Sequence, residues 1–209
     1  MKQLYLLFLI ISISTSAQTL RIETGKSISS FRFEDSQGQN FENFQPISKS
    51  FIATGINFEI FESKLDLTLD VIYNSLGSKG SQPTQNNYFE WEADYLGIAL
   101  GVEYTPFSVG NFEPYLKAAL STDFLIHGNQ VINNQVLNLR HLGEFGDATF
   151  FYRGSIGIKH PISKNTTISL AYQYINSFAL SQVSQGGDSK LYIYANMIGI
   201  GLAINLEKQ

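Results

Sequence analysis

The chain has three histidines, His127, His141 and His160, and no cysteine. The absence of cysteine excludes thiolate metal sites and cysteine nucleophiles. The histidines match no zinc spacing. His127 and His141 fall in or near one long polar stretch, whereas His160 precedes the short turn PISKN. In the topology read below they lie toward opposite ends of the molecule, so a shared metal or proton relay is not expected. Ser163 is close to His160 in sequence but belongs to the turn, and no GxSxG elbow is present. Glu90, Glu92 and Asp94 make a same-face acidic row in YFEWEAD. Such a row could take a cation. The plainer reading is a solvated strand extension, where charge is cheap on either face. No catalytic, cofactor-binding or metal residue is therefore expected.

A second set of charges is more informative. Glu59, Asp66, Asp70, Glu103, Lys117, Asp123, Arg153 and Lys159 all alternate with large apolar residues. In LDLTLDVIYN, Leu65, Leu67, Leu69, Val71 and Tyr73 share one face, and Asp66, Thr68 and Asp70 the other. In FYRGSIGIKH, Tyr152, Ile156 and Ile158 oppose Arg153, Ser155, Gly157 and Lys159. This is the period of two of a β-strand. If these charges face the inside of a closed sheet, they must pair, because an unpaired buried charge is costly. Lys117, Arg153 and Lys159 are therefore expected to meet carboxylates in a structural network. A narrow ion path is the functional alternative.

The elements that would position these residues number eight: 20–33, 49–61, 65–74, 88–104, 113–126, 148–160, 166–178 and 190–206. The last, LYIYANMIGIGLAINL, carries no charge. Its Tyr192, Tyr194, Ile198, Ile200, Leu202, Ile204 and Leu206 form a greasy row, interrupted by Asn196. Asn196 is expected near an interface or at a bulge. Aromatic residues sit near the ends of several greasy rows, as in the girdles of lipid-facing barrels.

The connections alternate between short and long, so an up-and-down meander places all the short ones at one end. The long third connection contains Leu137, Leu139, Leu142 and Phe145, expected to cover the rim or meet a partner. At the start, MKQLYLLFLIISISTSAQ has a basic residue, an apolar core and small residues. It reads as a secretory signal peptide over residues 1–17, cut before Gln18, leaving residues 18–209 as one domain.

Composition agrees. The 209 residues are 44% hydrophobic and 13% aromatic but only 15% charged, below a typical soluble domain. The formal net charge of -4 argues against nucleic acid. A sheet in lipid cannot leave an open edge. The expected fold is thus all-β: an eight-stranded antiparallel up-and-down transmembrane β-barrel with short periplasmic turns and long external loops. A secreted soluble barrel with a ligand cavity and a secreted β-sandwich are the alternatives.

Four segments then carry a resemblance: TSAQ at the end of the leader, PFSVGNFEPYLKAAL, IGIKHPISKNTTISLAYQY and the final GIGLAINL. Together they resemble the eight-stranded outer-membrane β-barrel proteins of the OmpA-like superfamily, in the form common in Bacteroidota. The resemblance implies the bacterial outer membrane, with outer-membrane lipid and lipopolysaccharide as surroundings. It also implies a non-enzymatic structural or surface-recognition role, with external loops meeting an extracellular ligand or partner protein. No cofactor is expected, and a monomer is. A narrow pore or hydrophobic-ligand transport barrel is one alternative; a lipid-modifying enzyme is another. For the latter, the position two residues after His160, where a lipid A deacylase would carry serine, is Ile162.

Overall fold

A computed structural model of the chain describes residues 18–34, 44–61, 64–82, 87–133, 135–141, 148–184 and 187–206. The expected signal peptide, Leu142 and Phe145 lie outside the described residues.

Eight long strands form the wall: β1 (Gln18–Glu34), β2 (Phe44–Phe61), β3 (Leu65–Gln82), β4 (Asn87–Tyr104), β5 (Glu113–Ile132), β7 (Thr149–Pro161), β8 (Thr166–Ser177) and β10 (Gly187–Asn205). Two short strands, β6 (Gln135–Asn138) and β9 (Leu180–Ser184), fold back on β5 and β10 at one end. Each long strand pairs antiparallel with the next. β1 and β10 close the ring from Thr19–Asn205 to Glu34–Lys190 without a register shift. Closure removes both sheet edges, which is what lets a sheet cross lipid.

The alternation read from the sequence is the alternation of the wall. Leu69, Val71, Ile98, Leu100, Ile156, Leu170, Ile198 and Ile200 are exposed on the outside, while Thr68, Asp70, Arg153 and Ser121 are buried inside. Tyr104 marks the periplasmic end of this apolar surface; Tyr73, Tyr172, Tyr174 and Tyr192 mark the other end. Asn196 stands in a regular stretch of β10, not at a bulge, and its Oδ1 accepts the Tyr172 hydroxyl at 2.5 Å.

The external connections exceed the periplasmic turns, but much of their length is strand. β3 runs to Gln82 and β5 to Ile132, beyond the expected ends at residues 74 and 126. Ser75, Gly77 and Lys79 supply no apolar row there, because neither face of this extension meets lipid. Asn133, at φ 47°, turns β5 into β6 in the left-handed conformation that asparagine tolerates. The sheet β3–β4–β5–β6 thus stands above the greasy band on one side of the barrel.

Two irregularities re-aim the wall. Ile126 is an extra residue in β5, between the pairs Tyr95–Leu125 and Asp94–His127. The β2–β3 ladder breaks between Pro46 and Phe51. At this gap β1 reaches β3 directly. Ser27 Oγ donates to the Ser75 carbonyl and Ser29 Oγ to the Gly77 carbonyl, each at 2.9 Å. The Gly77 N–H donates back to Ser29 Oγ at 2.7 Å. Serine hydroxyls thereby replace missing ladder bonds.

Candidate functional site: the filled lumen

The lumen has three layers. The periplasmic end is an open polar vestibule of about 750 Å³, with Asn57, Glu59, Asp66, Glu103, Tyr115 and Lys159 among its lining residues.

Above it lies an ionic layer centred on Arg21, which is 8% exposed. Its Nη2 is 2.5 Å from Asp70 Oδ1, and its Nη1 is 3.6 Å from Glu103 and 3.9 Å from Glu23. Lys117 Nζ reaches Asp70 Oδ2 at 2.5 Å. Lys159 Nζ reaches Glu103 Oε1 at 2.5 Å, and Asn57 Nδ2 donates to the same oxygen at 3.2 Å. Gln173 donates to Glu23 at 2.6 Å. One step further up, Arg153 Nη2 donates to Asp123 at 2.8 Å and its Nε to Ser121 Oγ at 2.8 Å. Asn74 donates to Asp123 at 3.1 Å. The cations Arg21, Lys117, Lys159 and Arg153 thus balance the carboxylates Glu23, Asp70, Glu103 and Asp123. Six of these charges are buried and two, Lys117 and Lys159, are half-buried; mutual pairing is what makes that tolerable.

Glycines make room for this layer. A Cβ at Gly97 would strike the Asp123 carboxylate, and one at Gly55 would strike that of Asp70. Between the two groups of ion pairs remains a void of about 20 Å³ bordered by Arg21, Asp70, Lys117 and Arg153. That is room for about one water.

The third layer differs from the polar interior expected. Toward the outside the lumen is packed with Phe31, Phe51, Leu76, Tyr95, Phe151 and Ile193, joined by other buried apolar residues. Tyr95 and Phe151 meet edge to face with centroids 6.0 Å apart. Leu139, in the 3-10 turn Leu139–His141 after β6, is 0% exposed and caps this plug. Leu137 is 42% exposed. Covering the rim, rather than meeting a partner, is therefore the part Leu139 takes.

The pairing expected of Lys117, Arg153 and Lys159 is present, but its hub, Arg21, lies outside the expected set, as does Glu23. Their signal was available: Leu20, Ile22 and Thr24 alternate with Arg21, Glu23 and Gly25. His127 and His160 do not converge. His127 has a side chain 63% exposed on β5, 3.7 Å from Asp94. His160 stacks on Phe112 at 4.8 Å, at the periplasmic end, with Nδ1 3.2 Å from the Asn111 carbonyl oxygen. The acidic row is divided: Glu90 accepts the Tyr88 hydroxyl at 2.8 Å, Glu92 pairs with Lys49, and Asp94 faces His127. Among the described residues no group of three His, Asp or Glu is arranged to hold a metal ion.

A closed ring of eight strands, greasy outside and ion-paired inside, defines an outer-membrane type of β-barrel. The sequence matches the family model described as "Outer membrane protein beta-barrel domain" over residues 4–205, and the chain belongs to that family. It resides in the bacterial outer membrane. No curated protein matches the sequence. Among solved structures it is similar to Neisserial surface protein A, at 12% identity and TM-score 0.50, covering 90% of this chain and 97% of that one. It is similar to the outer membrane protein OprG from Pseudomonas aeruginosa, at 12% identity and TM-score 0.52, with the same coverage. The outer membrane protease OmpT from Escherichia coli aligns at 6% identity and TM-score 0.49, covering 91% and 97%. At these identities the likeness is one of fold.

Proposed function

We propose that this barrel is a non-enzymatic, monomeric anchor that recognises ligands or partner proteins at the cell surface through its external end. The observation behind this reading is a division of labour along the axis. The lumen is filled by ion pairs and an apolar plug, while the wall continues outward as the β3–β6 sheet. Residues 77–82 alone, beyond Leu76 of the plug, add roughly 20 Å of strand, at about 3.3 Å per residue. A filled barrel offers little transport, and the projecting sheet offers a surface. Residues 1–17 act as a leader removed before Gln18; intact mass of the mature protein tests this.

To test recognition, the β3–β4 hairpin is trimmed at residues 78–91 and cells are assayed for adhesion to surface-protein arrays and to other cells. Loss of binding with an intact, heat-modifiable barrel supports the proposal. Equal binding by the trimmed and full chains contradicts it.

A second reading has its own observation. Where the β5–β7 ladder ends at Asp123–Thr149, an apolar groove of about 370 Å³ opens, lined by Leu120, Phe150 and Phe178 with Phe151 beneath. Such a groove suits a hydrocarbon ligand. Saturable binding of a fluorescent fatty alcohol, lost in Phe150→Ser, would favour it.

A further inference from the structure

Three carboxylates stand side by side on the inner wall at the periplasmic end. Glu59 of β2 is in register with Asp66 of β3, and Asp66 with Glu103 of β4. Like charges directly opposite one another on neighbouring strands destabilise a sheet. The ionic layer absorbs Glu103 through Lys159 and Arg21. Its balance of four cations and four carboxylates leaves Glu59 and Asp66 outside. Asp66 is half-buried and makes no ion pair among the described residues. Asn57 and Glu103, 5% and 1% exposed, border the same vestibule. Asn57 Oδ1 and Glu103 Oε2 each accept no hydrogen bond there. This wall therefore has a surplus of acceptors and of negative charge.

The wall across from it differs. In the ring of eight, β7 and β8 lie four strands from β2 and β3. Their turn brings the exposed Lys164 to the vestibule, with Thr167 and Ser169 of β8 on the same side. Lys164 makes no ion pair among the described residues, and neither does Lys64, exposed at the β2–β3 turn. Glu113 faces Lys159 in register. The cavity measures about 750 Å³, within the roughly 300–1,000 Å³ of ordinary small-ligand sites. Arg21 and Glu103 form its floor, so a ligand enters and leaves on the periplasmic side.

We propose that this vestibule binds a short zwitterionic peptide, its ammonium against Asp66 and Glu59 and its carboxylate against Lys164. An ammonium brings three donors to a wall of acceptors. A bare metal ion suits the wall less, because among the described residues no three His, Asp or Glu are arranged to hold one. A simple anion would meet Lys164 but face two carboxylates. An amine lacking a carboxylate would leave Lys164 unused. Phe107, exposed at the rim, offers apolar contact to a peptide side chain. The site lies at the opposite end of the barrel from the projecting sheet and does not depend on surface recognition.

The test titrates the full mature barrel in nanodiscs with trialanine, N-acetyl-trialanine and trialanine amide, read by calorimetry. Expected is saturable binding of trialanine, weakened about threefold to fivefold when either end is blocked, the size of one exposed ion pair. Asp66→Asn should weaken trialanine by a similar factor and leave the N-acetyl form unchanged. Lys164→Gln should weaken trialanine and leave the amide unchanged. Lys79→Gln, on the external part of β3, should alter neither. Asp66→Asn should also leave the barrel at least as stable to denaturant, because it removes a like-charge contact. That readout separates lost binding from lost folding. No saturable binding, equal binding of the free and blocked peptides, or a barrel destabilised by Asp66→Asn would each overturn the inference.

Discussion

Arg153 and Asp123 show what an interior charge does in a wall this narrow. Both are buried, and Asp123 also accepts from Asn74. Arg153→Met leaves the carboxylate unpaired and should cost about 3–5 kcal/mol, whereas adding Asp123→Asn should recover most of the loss. Denaturant unfolding in detergent, followed by gel migration, measures both; equal losses in the single and double variants would contradict the pairing. The glycines give a matched contrast. Gly97→Val drives a side chain into Asp123, while Gly154→Val points outward with nothing within 4 Å. The first should destabilise and fail to add to Arg153→Met, because both act on one pair. The second should be near neutral in lipid. At this scale the sequence was readable wherever a charge alternated with leucine, isoleucine or tyrosine, as at Asp70 and Arg153. It was least readable at Arg21, where the alternation is short and Lys26 and Ser27 soon blur it.

The β2–β3 seam is the element with the least ladder. Its bonds come from Ser27 and Ser29 on the next strand over. Ser29→Ala removes an acceptor for the Gly77 N–H and a donor to its carbonyl, so about 1–3 kcal/mol should be lost locally. Hydrogen exchange should show faster opening around residues 75–78 with no change in β7 or β8. Uniform acceleration through the ring would mean the seam is not a separate unit. Nothing in the sequence announces this seam, because serines on an inward face look like ordinary polar lining. The same holds for the extensions of β3 and β5. A greasy row signals a strand only where one face meets lipid, and beyond the membrane GSKGS and HGNQ look like loop. The apolar plug was hidden for a related reason. Ile193 and Met197 share a face with Ala195 and Gly199, and alternation tells faces apart without telling how far along the axis a residue lies.

For the whole molecule, ring closure, strand number and membrane setting were all legible, because they follow from the count and polarity of the alternating segments. The state of the lumen was not. It depends on which inward residues share a level, and that is set by stagger between strands. Here the stagger brings four cations to four carboxylates and stacks an apolar plug above them, capped by Leu139. A barrel so filled should hold its surface sheet in place without conducting. Single-channel recording of the purified barrel in a planar bilayer tests this most directly. The predicted result is no steady current above the bare-membrane baseline. A reproducible open-channel conductance in the wild type, altered in Arg21→Gln or Lys117→Gln, would contradict the filled lumen and the anchoring role built on it.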